Sequence, residues 1–253
     1  MRESGMSLDR SKKHWEDMGV LDPYWAILAE PGTKHGKWDV DKFFGTGSEE
    51  ISSLIAVAEK LGLPKHHDRA LDFGCGVGRL TRALAPHFQN VVGIDISQSM
   101  LRQAEALNPP PNCRFVLNSS DSLPFPTGQF DLIYTALVLQ HVPDKKSIRH
   151  YIAEFVRVLS TSGLLVMQLP NRVPLRRRLQ ARPRVYQWLR SAGVSEQVLY
   201  KKLGLHPIPM NFLPESEVVA IIESGGGTVL QTMVDERAGP YISGRLYYAS
   251  KSS

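Results

Sequence analysis

The sequence predicts an α/β fold built on a doubly wound parallel sheet, on three observations. Apolar, strand-like runs alternate with amphipathic helical stretches through residues 69–169. The first run, "RALDF", leads through the glycine-rich turn "GCGVG" into a helix. The 253 residues, 42% hydrophobic and 22% charged, have the balance of an ordinary globular protein long enough to bury a large core.

Each element has its own local reason. The first 45 residues, rich in Trp, Pro, Gly and charge, read as ordered but irregular, because Trp15, Trp25, Trp38, Phe43 and Phe44 need apolar surface. Ser48 then reads as an N-cap, followed by Glu49 and Glu50 and by Ile51, Leu54, Ile55, Ala58 and Leu61 at helical spacing up to Gly62. "RALDF" is the first strand, and Gly78 to Ala85 a helix stopped by Pro86. "NVVGID" is the second strand, and Ser97 caps a helix carrying Met100, Leu101, Ala104 and Leu107 on one face. "CRFVLN", "FDLIYTAL" and "GLLVMQL" continue the series, with a helix from Lys145 to Leu159 between the last two. Prolines and arginines interrupt the next forty residues, which read as an insertion or lid. A helix from Glu215 to Ser224, then "GTVLQTMV" and "SGRLYYAS", complete the pattern.

The glycine turn lets backbone approach a ligand closely. A dinucleotide fingerprint is G-x-G-x-x-G, whereas Gly74, Gly76 and Gly78 form G-x-G-x-G behind Asp72, a spacing that disfavours NAD. A carboxylate at Asp72 opposes a pyrophosphate but suits a ligand with a sulfonium and an ammonium group, such as S-adenosylmethionine. Asp95 ends the second strand, close to the offset at which an acid commonly accepts from ribose hydroxyls; its other reading is a charge at a helix N-terminus. Ile96 and Met100 are placed to pack on an adenine, or simply in the core.

"ALDFGCGVGRLTRAL", "VVGIDIS", "SSDSLPFPTGQFDLIYTALVLQHVPD" and "GLLVMQLP", in that order, resemble the motifs of class I S-adenosylmethionine-dependent methyltransferases. The resemblance implies a Rossmann-like sheet of seven strands, one of them antiparallel, for which "SGRLYYAS" is the candidate. It also implies that Asp72, Gly74, Gly76 and Gly78 cradle the methionine part of the donor, that Asp95 binds ribose, and that Asp121 and Ser122 border adenine. Ala136, at the end of the fourth strand, joins this donor set. Arg79 faces either the methionine carboxylate or solvent. "KWDVDKFFGTG" resembles the lid ahead of the sheet in small-molecule methyltransferases, which would put Phe44, Thr46 and Gly47 near the donor or leave them packing on the sheet. On this basis residues 1–47 form a lid or strap and residues 48–253 the methyltransferase domain, with residues 171–212 as an acceptor-side cap.

Methyl transfer from a sulfonium asks the protein to align an acceptor and dispose of its proton. His141 in "LQHVP" is the candidate base, or else a histidine that orders its loop. Gln140 either contacts donor or acceptor or lies in a solvated turn, and His35, Asp39 and His206 are weaker acceptor-side candidates. The fourth strand lacks the "NPPY" or "DPPY" of amino-methyltransferases, and neither Cys75 nor Cys113 is placed as a catalytic thiol. Neither has metal-ligand or CxxC spacing, so no metal site or disulfide is expected. An O-methyltransferase acting on a small-molecule or glycan hydroxyl is the leading expectation.

Charge leaves two alternatives open. The formal net charge is +5, and residues 171–195 hold Arg172, Arg176, Arg177, Arg178, Arg182, Arg184 and Arg190 without an acid, leaving the rest close to neutral. That cluster is either a solvated helix face, with Leu175, Leu179, Tyr186 and Leu189 as its apolar stripe, or a basic face for phosphate, an acidic glycan, RNA or an anionic membrane. The alternatives are thus an RNA methyltransferase and a non-catalytic S-adenosylmethionine-binding protein. With no run of 18 apolar residues and no signal-like start, a cytoplasmic chain without a transmembrane segment is expected.

Overall fold

The computed structural model describes residues 8–174, 179, 181–195, 197–205, 208–239 and 241–251. Seven strands form one sheet in the order β3-β2-β1-β4-β5-β7-β6. They are β1 (Arg69–Phe73), β2 (Asn90–Asp95), β3 (Cys113–Leu117), β4 (Phe130–Thr135), β5 (Leu159–Arg172), β6 (Gly227–Asp235) and β7 (Ser243–Lys251). β7 runs antiparallel to both β5 and β6, and the β1–β2, β2–β3, β1–β4 and β4–β5 pairs are parallel. "SGRLYYAS" is therefore the antiparallel strand, as expected.

Helices cover both faces. α3 (Val40–Leu61) and α4 (Arg79–Leu84) lie on one, where Ile51, Leu54 and Leu84 meet Ala70, Val91 and Leu132. α6 (Lys145–Val158) and α8 (Glu215–Ser224) cover the other, where Ile152, Phe155 and Ile222 meet Leu71, Ile133 and Leu165. Alternate residues of β1 thus face opposite layers, Ala70 toward α3 and Leu71 and Phe73 toward α6. α5 (Gln98–Ala106) has Ser97 as its N-cap, the hydroxyl accepting from the Met100 amide.

The N-terminal region departs from its expectation. Instead of irregular chain it forms α1 (Leu8–Leu21) and α2 (Pro23–Ile27), and α3 begins at Val40 with Asp39 as its cap rather than at Ser48. The Asp39 carboxylate accepts from the Lys42 amide at 2.8 Å, and the helix runs unbroken through Gly45 and Gly47. At Gly47 an added Cβ would stand 2.7 Å from the Arg79 carbonyl oxygen, so glycine permits the close crossing of α3 over α4. α1 is docked on α5 by Glu16, whose carboxylate accepts from the Gln98 and Ser99 amides at that helix's N-terminus.

The described residues of the insertion include regular elements. α7 (Ala181–Ser191) and a π-turn (Val198–Lys202) follow β5, with Tyr186, Leu199 and Tyr200 buried. The Tyr200 hydroxyl donates to Asp22, which also accepts from the His35 and Gly36 amides, so this segment is tied to the α1–α2 corner. Leu175, Arg176, Arg177, Arg178 and His206 lie outside the described residues.

Candidate functional site

A cavity enclosing about 840 Å³ of empty space, counted out to its open mouth, lies at the carboxyl ends of β1, β2 and β4. This is where a doubly wound sheet gathers its loops. Phe73, Gly74 and Gly76 come from the end of β1 and the turn after it, Asp95, Ile96 and Met100 from the end of β2 through the start of α5, Asn118 from just after β3, and Ala136, Val138 and His141 from the segment after β4. α1 and α2 roof it with Leu8, Ser11, Trp15, Ala26 and Ile27.

The glycine turn is shaped by its neighbours. Gly74 and Gly76 have φ of 76° and 53°, and a Cβ on either would fall about 2.5 Å from the side chains of Val138 and Ile27 respectively. Asp95 holds the turn in place, accepting from the Gly76 amide at 2.8 Å and from the Ser97 amide at 2.9 Å. Burial raises its pKa against these backbone hydrogen bonds. A carboxylate so held retains capacity for further donors, which suits it to hydroxyls of a ligand.

Asp72 does not line the cavity. It shares the Ala70 face of β1, toward α4, where the Thr81 hydroxyl donates to it at 2.6 Å, so it braces strand to helix. Burial pushes its pKa up to about 7, against the Thr81 hydrogen bond and the Arg79 charge. Gly78 caps α4 at φ 81° against the Phe115 ring, also away from the cavity. Arg79 faces neither solvent nor the cavity: it is 4% exposed, pairs with Glu50 at 2.8 Å and donates to Thr46 at 3.3 Å. Thr46 and Gly47 therefore belong to the α3–α4 contact, and Phe44 lies under the Arg82 guanidinium.

Asp121 and Ser122 are exposed in the turn beyond β3 and do not border the cavity. Asn118 does, its amide donating to the Ser120 and Ser122 carbonyls and so folding those residues away. His35 and Asp39 are likewise outside the cavity lining, the first against Tyr200 and the second capping α3.

His141 is on the cavity wall, 5.9 Å from Trp15 between ring centres. Its Nδ1 lies 2.9 Å from the Pro209 carbonyl, which can only accept, so Nδ1 carries the proton. Nε2 is then an acceptor, 3.2 Å from the Gln140 side-chain amide. Burial lowers its pKa to about 4, against the Pro209 hydrogen bond, so the ring is neutral near pH 7. Asn211 fixes the same loop, its amide N–H donating to the Gln140 carbonyl and its side chain to the Val142 carbonyl, each at 2.7 Å. Sequence reading missed Pro209 and Asn211, which stand about seventy residues from His141 and carry no motif. It also missed Trp15 and Ile27 as cavity residues, for which their helical setting in α1 and α2 was the absent clue.

A glycine turn opening a helix, with a bound-back acid at the tip of the next parallel strand, defines a nucleoside-binding α/β protein. Residues 71–167 match the family model described as a methyltransferase domain. The chain is 30% identical over 167 residues to 2-methyl-6-phytyl-1,4-hydroquinone methyltransferase of a Synechocystis strain, covering 65% of this chain and 51% of that protein. It is 30% identical over 188 residues to trans-aconitate 2-methyltransferase of Variovorax paradoxus, covering 66% and 70% respectively. The chain spans about half the length of the hydroquinone protein and of several other curated relatives. Among solved structures, magnesium protoporphyrin IX methyltransferase from Synechocystis with bound S-adenosylmethionine superposes with a TM-score of 0.63 at 17% identity, over the full length of both chains. The chain belongs to the class I S-adenosylmethionine-dependent methyltransferases, and S-adenosylmethionine is its cofactor.

Proposed function

We propose that this enzyme methylates an oxygen of a small, largely apolar acceptor that ionises readily by itself, a carboxylic acid or a phenol. S-adenosylmethionine supplies a methyl group already activated on sulfur, so the protein's task is alignment and control of acceptor charge. In this reading Asp95 accepts from the ribose hydroxyls, Ile96 and Met100 pack on adenine beside Asn118, and Gly74 and Ala136 flank the methionine part.

The observation that carries the acceptor class is the setting of His141. With Nδ1 held by Pro209, its Nε2 is a hydrogen-bond acceptor of low basicity that rests on the Gln140 side-chain amide, the contact an acceptor hydroxyl would replace. Such a ring can accept from a phenol hydroxyl, has no proton to remove from a carboxylate that is already ionised, and is a poor base for an aliphatic or sugar hydroxyl. The walls contributed by Trp15, Ile27, Val138 and Tyr151 favour apolar bodies over glycans. Two relatives are named for an aconitate and a hydroquinone, one bearing carboxyl groups and the other phenolic hydroxyls.

The test is release of S-adenosylhomocysteine from a panel of carboxylic acids, phenols, aliphatic alcohols and sugars. Turnover is expected with the first two classes, and turnover confined to sugars or alcohols would overturn the assignment. His141→Phe, which keeps the ring and removes the acceptor nitrogen, is expected to lower kcat about tenfold, the worth of one hydrogen bond, with donor affinity unchanged.

A further inference from the structure

We propose that the face formed by α1 and α7 docks this enzyme on an anionic lipid bilayer. α7 has two sides. Tyr186 is buried and meets His14 of α1 edge-on, at 6.0 Å between ring centres. Away from that contact Ala181, Arg184, Val185, Trp188 and Ser191 are exposed, a spacing that aligns them along one stripe, of which Arg184, Trp188 and Ser191 also border the cleft against α1. Trp188 is 69% and Val185 46% exposed, and such large apolar groups set together on a surface call for a partner.

Charge identifies that partner. Arg10, Lys13, His14, Arg184, Trp188 and Arg190 line one cleft between the two helices. Arg182 is exposed on the same helix, and residues 171–195 contain no acid. An exposed tryptophan and valine flanked by arginines suit the boundary between headgroups and acyl chains, where the ring enters and the guanidinium groups meet phosphates. A phosphate track for RNA needs the arginines but gives Val185 no role.

The position adds a consequence. α1 turns Leu8, Ser11 and Trp15 to the cavity and Arg10, Lys13 and His14 to the cleft, so the docking face is one helix away from the acceptor space. An apolar acceptor dissolved in the bilayer would be presented beside the roof of the site. The inference stands independently of the acceptor assignment, because docking is read without turnover.

The full chain is sedimented with vesicles of phosphatidylcholine, alone or mixed with phosphatidylglycerol. Binding is expected only to the mixed vesicles, with release on raising salt. Removal of one arginine charge in Arg184→Ala should weaken binding about fivefold. Trp188→Ser should also weaken it, and both variants should keep the parent's affinity for S-adenosylhomocysteine. Equal binding to neutral vesicles, no binding to the mixed ones, or variants that bind like the parent would overturn the proposal. So would an RNA oligonucleotide that displaces the vesicles and is held equally well by Trp188→Ser.

Discussion

A chain carrying Glu50→Ala is expected to lose about 3 kcal/mol of stability, the lower end of what breaking a buried ion pair costs. Glu50 pairs with Arg79 at 2.8 Å and with Arg237 at 2.6 Å, and accepts from the Tyr134 hydroxyl. Removing it strands Arg79, which is 4% exposed, on the buried face between α3 and α4. Arg237 is about one-third exposed and keeps Asp235, so its share of the loss is discounted. The low end of the range is chosen for that reason. Glu50→Gln, which retains an acceptor for both partners, should lose less. Denaturant unfolding of the parent and both variants measures the order, and a loss under 1 kcal/mol for Glu50→Ala would reject the account.

The pH dependence of that pair has a definite sign. Burial pushes the Glu50 carboxyl up, but Arg79, Arg237 and the Tyr134 hydroxyl outweigh it and hold it below the ordinary value of 4.5. A carboxyl depressed by folding contributes stability above its unfolded pKa and loses it as pH falls through the folded one. The parent should therefore lose more stability than Glu50→Ala on acidification below about pH 4.5.

What could be read from sequence follows the range over which each physical cause acts. β1, β2, the Ser97 cap and the Glu215–Ser224 helix were legible because alternation, capping and proline punctuation are local. Asp72 was legible as a strand residue, yet its direction depends on which helix covers each face, and Thr81 claimed it. The same holds for Arg79, whose partner Glu50 is 29 positions away. α1 was missed because its mixture of charge with scattered apolar groups serves three neighbours at once, the cavity, α5 and α7. Asp121 and Ser122 were placed by likeness of the surrounding motif, whereas the chain turns at Asn118 and carries them outward.

Asp95→Ala is expected to weaken S-adenosylmethionine binding by about 1–3 kcal/mol, roughly 5- to 150-fold, through loss of a charged acceptor. Two effects are removed together: the hydrogen bonds proposed to the ribose, and the anchors on the Gly76 and Ser97 amides that shape the turn. pH distinguishes Asp95 from a residue that only shapes the fold. Burial raises its folded pKa, so ionised Asp95 opposes stability while serving the ligand. Lowering pH through that raised value should weaken donor binding, because the protonated group loses acceptor capacity. It should at the same time add stability relative to Asp95→Ala, since a raised carboxyl binds its proton more tightly folded than unfolded. Calorimetry with S-adenosylhomocysteine, paired with unfolding at each pH, reads both slopes on the parent and the variant. Opposite signs in the difference between parent and variant, with donor binding falling and relative stability rising as pH is lowered, are the expected result. Unchanged affinity in Asp95→Ala would remove it from the ribose site.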